Sequence, residues 1–264
     1  MEASEARGGS PPVRTGHGGI GTLDLCNHEN QDEVAMESHG DTQRWTTSNS
    51  NLTSRLEKLR ELALARGADQ AVVIPASEVI VDPRVRLKCM IPKCYMSGAC
   101  AHCPPHGSSF KETKDTVSRY EWAVFFRVLV DSSVIASEEA ASIILSGVSD
   151  DAGKMSTLGA SYMLLASIVK IVQKRAEEMG YTPTFGFAAG DCRDLFCHYQ
   201  PTCQSLQTRR GCRHPGLSSP SMESCGLDAF TMAARVGWDA YPIGGTCRPD
   251  SVPHGALMGL VLVT

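Results

Sequence analysis

Two short stretches crowded with cysteine limit what this chain can fold into. "RLKCMIPKCYMSGACAHCPP", residues 86–105, holds Cys89, Cys94, Cys100 and Cys103. "DCRDLFCHYQPTCQSLQTRRGC", residues 191–212, holds Cys192, Cys197, Cys203 and Cys212. The spacings are C-x4-C-x5-C-x2-C and C-x4-C-x5-C-x8-C, so both open on the same C-x4-C-x5-C. Short loops bring donors from one segment to one centre at low closure entropy, and four soft thiolates complete a tetrahedral set around zinc or iron. Three readings compete. Structural zinc favours paired C-x2-C knuckles, and here only Cys100 and Cys103 form one. Iron–sulfur clusters accept wider, irregular spacing, and a proline after the last cysteine also occurs in ferredoxin loops; Cys103-Pro104 shares that detail. The third reading is a set of buried free thiols, which pack well as small apolar groups. Eight thiols in two tight groups argue against it.

The compartment bears on the choice. The chain has 264 residues and 11 cysteines, an odd number that complete internal pairing cannot use up. Residues 1–50 carry eight acids and three bases, a net charge of −5, and have no sustained apolar period. They are expected to form a disordered N-terminal tail, which leaves 51–264 as one cysteine-rich metal-binding domain. The tail has no apolar core of a secretory signal and too many acids for a transit peptide. No run reaches the length of a membrane span. A cytoplasmic location follows as the expectation, and there thiols stay reduced and serve metals more often than disulfides. The net charge of −4 gives no argument for a nucleic-acid partner.

Periodicity outlines the fold. "NLTSRLEKLRELALARG" sets Leu52, Leu56, Leu59 and Ala63 on one helical face, with Gly67 as its stop. "AVVIPASEVIVD" predicts one or two short strands broken by Pro75, and "YEWAVFFRVLVDSS" a buried strand. Over 155–180, Leu158, Tyr162, Leu165, Val169, Val172, Ala176 and Met179 mark a helix that Gly180 ends. "YTPTFGFAAG" predicts a strand running into Cys192, "SMESCGLDAFTMAARVG" a helix interrupted near Gly226, and "ALMGLVLV" a closing strand. Strands alternating with helices indicate α/β (or α+β), a small mixed sheet with helices packed on it. Both cysteine groups fall in loops rich in Pro and Gly.

Cations flank both loops: Arg84, Arg86, Lys88 and Lys93 at the first, Arg193, Arg209, Arg210 and Arg213 at the second. They would stabilise a negatively charged thiolate centre, although loops also carry solvated charge for no such reason. His102, His106, His198 and His214 lie among the cysteines and are expected to serve as hydrogen-bond partners more often than as ligands. Of the remaining cysteines, Cys26 falls in the tail, Cys225 reads as a buried small apolar residue, and Cys247 sits in the turn "GGTCRP". Glu223 and Asp228 could act as acid, base or ligand, but helix capping is the commoner role for such residues. No phosphate-binding glycine loop, nucleophile elbow or paired-histidine helix is present.

"RLKC", the CPP turn, the second cysteine run ending in "CRHP", and "PSMESCGLDAF" together resemble a bacterial and archaeal family of predicted metal-binding proteins of unknown function. The resemblance runs from about residue 70 to the C-terminus. It implies metal binding through the cysteine groups, as iron–sulfur centres. Its motifs carry over onto Cys89, Cys94, Cys103, Cys192, Cys197, Cys203 and Cys212, with Ser221, Met222, Glu223, Gly226 and Asp228 in the signature. The second loop departs from the family's compact C-x2-C spacing. The functional expectation is two iron–sulfur clusters, [4Fe–4S] in type, in a protein that passes electrons to a redox partner protein. The alternative is a zinc-stabilised interaction module without redox activity. A third possibility is an enzyme in which one incompletely ligated cluster binds substrate.

Overall fold

A computed structural model describes residues 50–138, 140, 152–197, 199–208, 210–243 and 248–264. The expected tail, apart from Ser50, lies outside the described residues, as do Cys26, His198, Arg209 and Cys247.

The chain enters as helix α1 (Ser50–Ala65), which turns at Gly67 and runs into strand β1 (Gln70–Pro75). A long excursion carries the first cysteine stretch and a short helix α2 (Phe110–Val117) before strand β2 (Trp122–Asp131). The short helix α3 (Ser132–Ile135) follows, and then the long helix α4 (Ala152–Glu178). Strand β3 (Phe185–Phe187) leads to the second cysteine stretch, with its short helices α5 (Cys192–Phe196) and α6 (Gln204–Gln207). Helix α7 (Ala229–Arg235) and strand β4 (His254–Val263) close the chain. Among the described residues no helix is long and apolar enough to cross a membrane.

The four strands form one sheet in the order β1-β2-β4-β3. This is the α/β (or α+β) arrangement that the alternation of elements predicts, but every strand pair is antiparallel, so the sheet is not mixed. The reason is the position of β4. Strands β2 and β3 run parallel to each other with α4 as their connection, and β4 inserts between them, as in a split β-α-β unit.

Strands β2 and β4 are central and buried on both faces, which is why each reads as an unbroken apolar run. Val124, Phe126, Val128 and Val261 point to one face, against Leu56 and Leu59 of α1 and Leu165, Ile168, Val169 and Val172 of α4. Phe125, Leu260 and Leu262 point to the other, against Met222, Leu227, Met232 and Trp238. Each such side chain contributes about 1.5–3 kcal/mol when fully buried. Phe125 also stacks on Trp238 at 5.0 Å between ring centroids.

Two expected strands are shorter than the sequence predicts. β3 keeps only three residues, because beyond Phe187 the chain leaves β4 and bridges to Ser221 through Ala188. After Pro75 the chain does not form a second strand. It makes a 3₁₀ turn at Ala76–Glu78 and a single bridge from Val81 to Leu227.

Candidate metal centre

The two cysteine stretches are rooted on one short segment. Ala188, just before the second stretch, donates to Pro220 O at 2.9 Å and accepts from Met222 N at 2.9 Å. Asp82, just before the first, donates to Gly226 O at 2.8 Å, and Asp228 N reaches Ile80 O at 2.9 Å. Residues 220–228 therefore clamp both roots. The segment achieves this with a 3₁₀ turn at Glu223–Cys225 that Gly226 ends in the left-handed region, φ +82°. A side chain there would be strained, and its Cβ would meet Asp82 O at 3.1 Å.

Local backbone bonds fold each stretch. In the first, Cys89 closes a 3₁₀ helix (Pro83–Cys89), Cys94 N bonds Cys89 O at 3.1 Å, and Gly98 N bonds Pro104 O at 2.7 Å. In the second, Asp191 caps α5 through Asp194 N at 2.8 Å, so Cys192 opens that helix. The two stretches meet where Tyr95 donates to Asp194 Oδ2 at 2.5 Å.

Sequence spacing suggests one site per stretch. The structure divides the thiols differently. Cys100 is fully buried, and its Sγ lies 3.2 Å from Cys103 Sγ and within hydrogen-bonding reach of Cys192. Cys100 lines a tight hollow with Cys192, Cys197, Cys203 and Cys212. The free volume there is only about 20 Å³, roughly one water, with the thiols set around it. Cys89, Cys94 and Cys103 line a second, roomier cavity, in whose wall Asp191, Glu223 and Tyr162 also stand. All nine cysteines among the described residues are free. Also among the described residues, no three His, Cys, Asp or Glu side chains converge closely enough to hold one metal ion.

The electrostatics follow from this geometry. Cys100 shares thiol–thiol hydrogen bonds with Cys103 and Cys192, and this coupling pulls Cys100 well below the usual thiol range and pushes the other two up. Burial, and then the neighbouring Cys94, pushes Cys89 up to about 11. Desolvation pushes Asp191 up to about 7 against the opposing bond from Asp194 N–H, and it raises Glu223 as well. Burial holds His102 down. In the second stretch Cys212 Sγ accepts from His214 N at 3.3 Å and sits 3.3 Å from Ser218 Oγ.

The flanking cations divide. Arg193 and Arg213 line the tight hollow and brace its loop by donating to Pro201 O at 3.3 Å and Thr202 O at 2.8 Å. Arg193 Nε is buried without an acceptor. Arg86 Nε is likewise buried and unpartnered, and its charge acts on Cys89 and Cys225. Arg84 is exposed and paired with Asp82, Lys93 and Arg210 are exposed, and Lys88 sits 4.7 Å over the Phe230 ring. His214 lines the hollow and His106 is exposed. Cys225 is buried among Met222 and Leu227, as a small apolar residue should be.

Sequence reasoning missed Tyr95, Asp191, Asp194 and Tyr162. The one local signal was an aspartate immediately before Cys192, at the start of a helix. The donor chemistry fits a thiolate-bound metal group: soft thiols from both stretches line one hollow, and the orphaned Nε of Arg193 belongs to a residue of the same wall. A sulfur-rich anion would give that donor an acceptor.

Fold and site define a cysteine-rich α/β domain with thiol-walled cavities on one clamp. The model of the family described as predicted metal-binding protein (DUF2284) matches residues 72–263, and the chain belongs to that family. No curated protein and no solved structure matches it.

Proposed function

We propose that this member of a metal-binding family holds iron–sulfur clusters on its two cysteine stretches and passes single electrons to a redox partner protein. The observation that carries the reading is the hollow where Cys100 joins Cys192, Cys197, Cys203 and Cys212, with Arg193 Nε buried beside them and lacking an acceptor. Those thiols would hold one cluster, and Cys89, Cys94 and Cys103 would contribute to the other. Such a group supplies one-electron storage at a potential set by charge, hydrogen bonds to sulfur and solvent access.

The chain's own residues tune these factors. Arg193 and Arg86 offer donors to sulfur, and His214 N–H and Ser218 Oγ sit against Cys212 Sγ. The 220–228 clamp holds the roots of the two stretches in fixed relation, so less chain has to be ordered when the thiols gather on the group. The thiols crowding the hollow must rotate outward to admit the group. The test is anaerobic purification of the full chain, followed by iron, acid-labile sulfide and zinc analysis and a visible spectrum. Iron with matching sulfide, and broad absorbance that bleaches with dithionite, is the expected result. A colourless protein with stoichiometric zinc overturns the proposal.

A further inference from the structure

We propose that the groove walled by Leu87, Met90 and Phe110 and flanked by Arg86 and Lys93 docks an acidic amphipathic helix of a partner protein. The proposal does not depend on what the thiols bind.

The groove is separate from the thiol-walled cavities. It has a free volume of about 610 Å³, and among the described residues neither a cysteine nor a carboxylate lines it. Pro104 and Pro105 complete its apolar wall. The apolar side chains here are displayed rather than packed: Ile91 is 74% exposed, Met90 53% and Leu87 48%. They stand on a held backbone. Asp82 caps the 3₁₀ helix Pro83–Cys89 through Arg84 N at 2.8 Å, and Leu87 O accepts from Met90 N at 2.9 Å and from Ile91 N at 2.8 Å. Large apolar groups fixed outward on one short stretch, with charged neighbours at the rim, mark an interaction site.

The charge selects the partner. Residues 83–111 hold Arg84, Arg86, Lys88, Lys93 and Lys111 and no Asp or Glu, in a chain whose net charge is −4. Lys88, Lys93 and Lys111 are exposed. The acids that border this run in sequence are already engaged. Asp82 is paired with Arg84, and Glu112 accepts from Ser109 N at 2.7 Å in the capping box of α2. A partner face bearing carboxylates meets complementary potential here, which steers association and fixes orientation. A basic face meets like charge.

The walls select the shape. No residue lining the groove belongs to a strand of the sheet, so an extended peptide finds no edge to join. Phe110 is the one aromatic among those residues, whereas proline-rich segments dock in aromatic-lined grooves. A flat bilayer cannot fill a concave wall. The recognition mode left is a helix whose apolar stripe lies in the groove, with its acids against the flanking cations.

The test titrates the full chain, as purified, into a fluorescein-labelled synthetic helix with leucines along one stripe and glutamates elsewhere, read by anisotropy. Wild type should bind it saturably, and more weakly as salt is raised. The same peptide with lysine for every glutamate should not bind, and a scrambled order of the same residues should bind about tenfold more weakly. Met90→Glu and Lys93→Glu should each weaken binding about tenfold, with unfolding temperature and metal content unchanged. Absence of saturable binding to wild type overturns the proposal. Equal binding of the scrambled peptide, or undiminished binding by either folded variant, does so too. Where the peptide does not bind, sedimentation with anionic vesicles that Met90→Glu abolishes would assign the face to a lipid surface. A concentration-dependent dimer that Met90→Glu dissolves would assign it to a second copy of the chain. Metal analysis decides the cluster reading separately, since the peptide assay does not involve the thiols.

Discussion

Asp228 and Glu223 share one short segment and have different roles. Asp228 caps α7: its carboxylate accepts from Thr231 N at 3.0 Å and from Thr231 Oγ1 at 2.7 Å. Glu223, for which capping is also expected, is not the N-cap residue of its turn. Met222 takes the N-cap position of the 3₁₀ turn, and Glu223 stands in its first turn, where its carboxyl accepts from its own N–H and from Ser221 while the residue lines the cavity that holds Cys89. The two acids look alike in sequence, and only the turn at Gly226 separates their directions. Asp228→Ala should therefore cost about 1 kcal/mol in chemical denaturation and leave metal content unchanged; a fall in bound metal would give Asp228 a part in the site. The cysteines allow a parallel contrast. Cys225→Ala should cost roughly 1 kcal/mol through lost apolar contact and keep the full metal content. Cys103→Ala and Cys212→Ala should each lose about one site's metal. Elemental analysis of the purified variants decides, and unchanged metal in both loop variants would remove the ligand assignment.

At the scale of elements, the helices α1, α4 and α7 and the central strands were legible because their burial repeats locally, whereas the short helices α2, α3, α5 and α6 were not. Leu56, Leu59 and Ala63 mark α1, Leu165, Val169 and Val172 mark α4, and the apolar runs of β2 and β4 mark strands packed on both faces. β3 and the chain after Pro75 were not, since their ends depend on bridges to Ser221 and Leu227. The cysteines show the same division. Spacing showed that two groups exist, whereas which thiols share a cavity is decided by tertiary contacts between Cys100, Cys103 and Cys192. The segment that arranges those contacts is 220–228. Gly226→Ala should cost about 1–2 kcal/mol for a left-handed backbone, with a further cost for the approach to Asp82 O. Because Asp82 roots the first stretch, this variant should lower metal occupancy as well as stability, unlike Asp228→Ala. Equal metal retention in the two would show that the clamp is not needed to hold the site.

The molecule as a whole separates an extensive core from two excursions that add little to it. Of the buried hydrophobic residues, Met96 and Cys100 alone come from 86–105, and none comes from 191–212, among the described residues. The core lies instead in the sheet, α1, α4 and α7, where Phe125, Phe126, Leu165, Ile168, Leu260 and Leu262 are almost wholly enclosed. The excursions are held by turns and the 220–228 clamp and, on the proposed function, by the group their thiols bind. Small zinc domains behave otherwise, because without metal they have too little core and unfold. Here metal removal should open the excursions and spare the sheet, since local opening follows local contact density. Hydrogen exchange after chelation should show loss of protection over 89–107 and 192–214, while β2 and β4 amides keep theirs and far-ultraviolet dichroism changes little. Binding at many times the dissociation constant adds stability by mass action, about 2.7 kcal/mol at a hundredfold excess, and that increment should fall on the excursions. Collapse of protection in β2 and β4 on metal loss would instead mean that the thiol centre is part of the folding core.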